Sequence, residues 1–125
     1  MTRIFMAIAS ILAGLAVAGG AFASHALKEK LTERALEIFE TGTRYQMYHS
    51  LALLLVAVLL SRAEASQTLL ISSGSAFLVG IALFSGSLYA LSLSGIKWLG
   101  AIAPLGGAAF LVGWSCLAIA AFSYK

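Results

Sequence analysis

The chain has 125 residues, a formal charge of +3, and a composition in which 61% of side chains are hydrophobic and only 10% charged. Soluble domains carry about 45–50% apolar and about 25% charged residues, and a chain this short cannot hide such an excess behind a water-facing surface. The balance excludes an ordinary water-soluble fold. With no basic run it also gives nucleic acid no footing, and it makes the lipid bilayer the partner that the composition demands.

The eight basic and five acidic residues are unevenly placed: eight of the thirteen lie between Lys28 and Arg44. The others are Arg3, Arg62, Glu64, Lys97 and Lys125. Between them run four uncharged stretches, each meeting or approaching the roughly 20 helical residues that cross a bilayer core. The expected fold is therefore all-α. It is a four-transmembrane-helix bundle forming one membrane domain (1–125), with spans at about 4–27, 45–61, 68–93 and 98–122.

Helix one, about Ile4–Leu27, is rich in small residues. Ala16, Gly20 and Ser24 are spaced four apart, which puts them on one face and suits close helix packing in lipid. Arg3, the apolar run and Ala21-Phe22-Ala23 also resemble a secretory signal with a cleavage site. The run of 21 residues from Ile4 to Ser24 exceeds the ~7–15 of a signal core, so a retained helix is expected.

The polar segment Lys28–Arg44 follows. Leu31, Ala35, Ile38 and Phe39 recur at helical spacing while the charges mostly take other faces. This predicts a short amphipathic helix at the membrane surface between helices one and two, capped by Thr32 and stopped at Gly42. Helix two is the shortest span, with Tyr45 and Tyr48 at its start, where aromatic rings favour the headgroup level. A polar turn, Arg62-Ala63-Glu64-Ala65-Ser66, leads to helix three. Gly95 and Lys97 lie in the turn before helix four, and Pro104 sits near that helix's first turns, where a span tolerates it. Cys116, a lone cysteine in the last apolar stretch, reads as a small buried hydrophobe. Leu12, Gly14, Ala16 and Gly20 match Leu78, Gly80, Ala82 and Gly86 at a constant offset, a faint sign of a duplicated hairpin.

Alternating spans put the first and third connections on one side of the membrane. Ser24, His25, Glu40, Arg44, Tyr48, His49, Ser85, Ser87 and Tyr89 then converge in one leaflet as a candidate polar cluster. Polar groups in hydrocarbon need hydrogen-bond partners, so mutual satisfaction is the simplest role. The functional alternative is a small polar pocket or half-channel closed by the amphipathic segment, with His25, His49 and Glu40 as a proton relay. Two histidines without a third fixed ligand do not make a zinc site. No phosphate-binding glycine loop or HExxH helix is present. No catalytic residue, metal or cofactor is expected, and the chain is read as a non-enzyme.

Gly20-Ala21-Phe22-Ala23-Ser24-His25-Ala26-Leu27 and Phe39-Glu40-Thr41-Gly42-Thr43-Arg44-Tyr45-Gln46-Met47-Tyr48-His49 resemble the YgdD / transmembrane protein 256 family. Leu83-Phe84-Ser85-Gly86-Ser87-Leu88-Tyr89, Pro104-Leu105-Gly106-Gly107 and Gly113-Trp114 continue the match over nearly the whole chain. That family usually has glycine where this chain has Ser24. The resemblance implies a small bacterial inner-membrane protein with four spans and no assigned activity.

Five basic residues on the side of the first and third connections, against three on the other, predict both termini outside. Two functions are compatible with these features. One is a structural or interaction component of the membrane, as a homo-oligomer or with a membrane-protein partner. The other is a minimal proton or small-solute conduit.

Overall fold

The computed structural model describes residues 1–62 and 64–124. Ala63, in the expected polar turn, and Lys125, in the terminal charge count, lie outside the described residues. Among the described residues four helices follow in chain order: α1 (Thr2–Leu27), α2 (Glu33–Arg62), α3 (Gln67–Ser94) and α4 (Lys97–Phe122). Among the described residues no strand occurs. By length and composition α1, α3 and α4 are apolar enough to cross a membrane.

Local chemistry sets three of the helix ends among the described residues. Thr32 Oγ1 accepts the Ala35 amide at 3.1 Å, so the expected cap starts α2. Ser66 does the same for α3, accepting the Leu69 amide at 3.3 Å. Gly95 ends α3 in the left-handed region, φ 72°, where its amide bonds to the Leu91 carbonyl at 2.8 Å. Pro104 falls in the first turn of the regular part of α4, Ala103–Phe122, after a 3₁₀ turn over Lys97–Ala101. No intrahelical bond is lost there.

The main departure from expectation concerns α2. No separate surface helix occupies Lys28–Arg44; Glu33–Arg62 is one continuous helix of 30 residues. Gly42 does not stop it. A mid-helix glycine costs only about 1 kcal/mol, and here the missing side chain is used: a Cβ would lie 2.8 Å from the Tyr89 ring. The apolar face of the charged segment does not rest on lipid either. Phe39 is buried with Ala23 and Leu27 of α1, and Leu31, Leu36 and Tyr89 close over them.

The α2 helix is the centre of the bundle. Phe39, Gly42, Gln46, His49, Leu53, Val56 and Leu60 are all buried. Their alternating spacing of three and four is a heptad stripe, the pattern that keeps one helix face against its neighbours. Outward-facing residues of the bundle are large and apolar, among them Ile11, Leu15, Leu51, Leu55, Leu111 and Ile119. Such a shell suits lipid, not water.

Helix α3 widens into a π turn at Ile81–Ser85. Phe77, Ile81, Ser85 and Tyr89, four apart, all serve the side that meets α2: Phe77 packs on His49, Ile81 joins the α2 core, and the other two bond to α2. In a regular helix such positions drift by about 40° per step. The wide turn takes up part of that drift. At the same level Gly106 of α4 abuts the Phe84 backbone so closely that no Cβ would fit. A second π turn, Ala23–Leu27, ends α1.

The offset repeat does not carry into packing. Gly80 lies under the Phe110 ring, while its counterpart Gly14 has open space around it. Ala16 is buried, and Ala82 is exposed. Cys116 is half-buried, not enclosed as expected.

Candidate functional site

The polar groups of the bundle gather on the first half of the α2 stripe. Gln46 is the hub. Its side-chain Nε2 donates to the Leu12 carbonyl of α1 at 2.7 Å, and its Oε1 accepts from the Tyr89 hydroxyl of α3 at 2.6 Å. A side-chain amide donates and accepts at separate atoms, so a single residue ties three helices. One turn earlier, Ser85 donates to the Gly42 carbonyl at 2.7 Å. That carbonyl sits inside a helix and uses a second lone pair for the purpose.

His49 lies one turn further in. Its ring stacks on Phe110 of α4, with centroids 3.5 Å apart and planes 8° from parallel. Nδ1 is 2.8 Å from the Tyr45 carbonyl, and Nε2 is 3.1 Å from Nε1 of Trp114. A carbonyl only accepts and an indole N–H only donates. The ring is therefore the tautomer with its proton on Nδ1, donating to Tyr45 and accepting from Trp114. Both nitrogens are engaged, and neither is left for a ligand. Ser73 adds the remaining tie in this region, donating from α3 to the Gly113 carbonyl of α4 at 2.7 Å.

Of the nine residues expected to cluster, His49, Ser85 and Tyr89 reach this seam. Ser87 is buried beside it but bonds its own helix, at the Phe84 carbonyl, 2.9 Å. Ser24 turns back on the Gly20 carbonyl at 3.1 Å and is exposed, as is His25. Tyr48 is exposed and meets the edge of the Tyr45 ring at 5.5 Å. Glu40 and Arg44 line a different feature, an open groove of about 570 Å³ between the start of α2 and α3, shared with Arg34, Glu37, Phe84 and Leu88. Among the described residues Arg44 reaches only the Thr41 hydroxyl, at 3.3 Å.

Gln46 and Trp114 are the members that sequence reasoning missed. A helical spacing test on Gly42, Gln46 and His49 finds Gln46, since the three share one face. Trp114 had no such signal, because nothing in the sequence aligns α4 with α2. Among the described residues no three His, Cys, Asp or Glu side chains are placed to share a metal ion. Every buried side-chain nitrogen and oxygen among them has a hydrogen-bond partner.

An apolar helical shell around a hydrogen-bonded polar seam defines a small integral membrane protein. The comparisons agree. The chain belongs to a family of membrane proteins of unknown molecular function, whose model, described as "Protein of unknown function (DUF423)", matches residues 19–107. It is 42% identical over 122 residues to the UPF0382 membrane protein YwdK of Bacillus subtilis (strain 168), covering 98% of each chain. It is 40% identical over 122 residues to the UPF0382 membrane protein SAB0533 of Staphylococcus aureus (strain bovine RF122 / ET3-1), again covering 98% of each. A UPF0382 membrane protein of Haemophilus influenzae is 40% identical over 125 residues, covering all of this chain and 98% of the relative. No solved structure matches the chain.

Proposed function

We propose that this protein is a four-span structural or interaction component of a bacterial inner membrane, in which the intramembrane polar groups fix helices to one another instead of conducting ions. The observation that carries the reading is the seam itself. Gln46, His49, Ser85, Tyr89 and Trp114 end on each other or on helix carbonyls. A conduit needs a chain of such groups that continues to water, whereas these bonds run across from helix to helix. The uncharged second half of α2 supports a fourth span, and the resemblance of the chain's motifs to the YgdD / transmembrane protein 256 family implies the same count.

The chain acts in this reading by what it binds laterally, as a homo-oligomer or with a membrane-protein partner, and performs no catalysis. Crosslinking in native membranes is expected to trap one defined neighbour; monomer alone at every crosslinker dose would remove the interaction role. Purified protein in liposomes is expected to pass no protons or small ions beyond empty vesicles. A flux that His49→Ala abolishes would replace the scaffold with the conduit. In this reading the first and third connections, which carry Lys28, Lys30, Arg34, Arg44 and Lys97, face the cytoplasm and both termini lie outside. A cytoplasm-dependent enzyme reporter fused to the C-terminus should then be silent.

A further inference from the structure

We propose that the groove between the first turns of α2 and the second half of α3 holds the headgroup of a zwitterionic phospholipid bearing a primary ammonium, with phosphate on Arg44 and ammonium on Glu40. The volume, about 570 Å³, falls in the ~300–1,000 Å³ range of small-molecule sites. Its walls are charged and its floor is apolar: Arg34, Glu37, Glu40 and Arg44 stand over Phe84 and Leu88. That division matches an amphiphile.

The level is that of lipid headgroups. Tyr48, just past the charged turns of α2, is 53% exposed, and Trp98, at the start of α4 on the same side, is 66% exposed. Exposed aromatic rings of this kind mark the membrane–water boundary. Acyl chains of the bound lipid would leave the groove past Phe84 and Leu88. A lateral groove at this depth meets lipid before any soluble molecule.

The charges select the headgroup. Arg34 and Glu37 are closed on each other at 3.4 Å. Glu40 and Arg44 are four apart, the spacing at which a helical Glu–Arg pair ordinarily forms, yet among the described residues neither has an ion-pair partner. A carboxylate and a guanidinium without ion-pair partners among the described residues thus stand one turn apart on the wall of one groove, the guanidinium holding only the Thr41 hydroxyl. An ammonium linked to a phosphate by two carbons presents the complementary pair. The groove's two arginines and two glutamates sum to zero charge. A net-anionic lipid would set its charge beside two carboxylates, and a quaternary ammonium has no N–H to donate to Glu40.

The inference rests on membrane residence and not on the scaffold role, so its failure leaves that role standing. The test is native mass spectrometry of the full chain released from detergent with an equimolar mixture of phosphatidylethanolamine, phosphatidylcholine and phosphatidylglycerol of matched acyl chains. Phosphatidylethanolamine should be retained preferentially. Glu40→Gln should lower its retention relative to phosphatidylglycerol roughly ten-fold, the loss expected for one charge-assisted hydrogen bond. Arg44→Gln should weaken all three lipids alike, and Glu33→Gln, on the same helix outside the groove, should change nothing. Circular dichroism of each variant separates loss of binding from loss of fold. Retention independent of headgroup, a preference for phosphatidylglycerol, or a preference that survives Glu40→Gln would each overturn the assignment. Equal binding of soluble phosphoethanolamine would overturn its membrane source.

Discussion

The two halves of the α2 stripe do the same job by different means. From Phe39 to His49 the stripe is polar at its centre, and Gly42, Gln46 and His49 take hydrogen bonds from α3 and α4 while Gln46 gives one to α1. From Leu53 to Leu60 it is wholly apolar, with Leu53 and Val56 fully enclosed and Phe5 of α1 seated against Gly74 of α3 nearby. In lipid the hydrophobic drive between helices is lost, because lipid tails are as apolar as leucine. The apolar half can hold helices by close fit, but hydrogen bonds are directional. The polar half therefore chooses the rotation and register of each helix about α2, and the apolar half supplies contact area.

That division can be broken from either end. Unfolding in mixed micelles, followed by helical circular dichroism, reads every case below. Leu53→Ala should have the largest effect, about 2–5 kcal/mol, because it empties a fully packed position. A loss below that range would mean the apolar half repacks freely. Gly106→Ala should cost about 1–3 kcal/mol, since its Cβ must push the Phe84 backbone and α4 away from α3. If shape fit at that crossing is dispensable, the variant will match the parent.

Gln46→Leu should cost less, about 1–2 kcal/mol, the upper range for interhelical hydrogen bonds in membranes. It should lose specificity beyond stability. A double-mutant cycle with Tyr89→Phe should show coupling, and crosslinks between engineered cysteines on α1 and α2 should broaden into several registers. Additive losses in the cycle would separate Gln46 from Tyr89. The smallest effect is expected from Trp114→Phe, about 0.6 kcal/mol, because the residue is 43% exposed, a phenyl ring can still pack edge-on against Phe77, and the bond to His49 is the main loss. The same substitution in a His49→Phe background should cost almost nothing more.

Much of this arrangement was legible in the sequence. Three expected helices, about 4–27, 68–93 and 98–122, coincide within two residues with Thr2–Leu27, Gln67–Ser94 and Lys97–Phe122. Lack of charge over a span's length is a strong signal because burying charge in lipid is costly. The start of α2 was misplaced for the same reason. Charges between Lys28 and Arg44 were taken to mark a boundary, but a helix needs only one face without them. Whether such a face rests on lipid or on α1 depends on what the rest of the chain brings to it.

The candidate cluster was legible only as a list. Polar residues near the first and third connections were identified, but period and spacing give no rotation for one helix about another. His49 and Tyr89 turned inward; His25 and Tyr48, similar in type, turned outward. Along α2 the run from Leu51 to Leu60 is apolar on every side, so its stripe could not be told from its lipid face.

By itself, then, the sequence determined the apolar surroundings and three of the four helices, because both follow from composition and local order along the chain. Only the tertiary structure decided which faces meet, that Gln46 rather than a histidine joins three helices, and that Glu40 and Arg44 line one groove without an ion pair among the described residues. Those outcomes depend on distances between residues remote in the chain, and side-chain fit and hydrogen-bond direction set them once the helices pack.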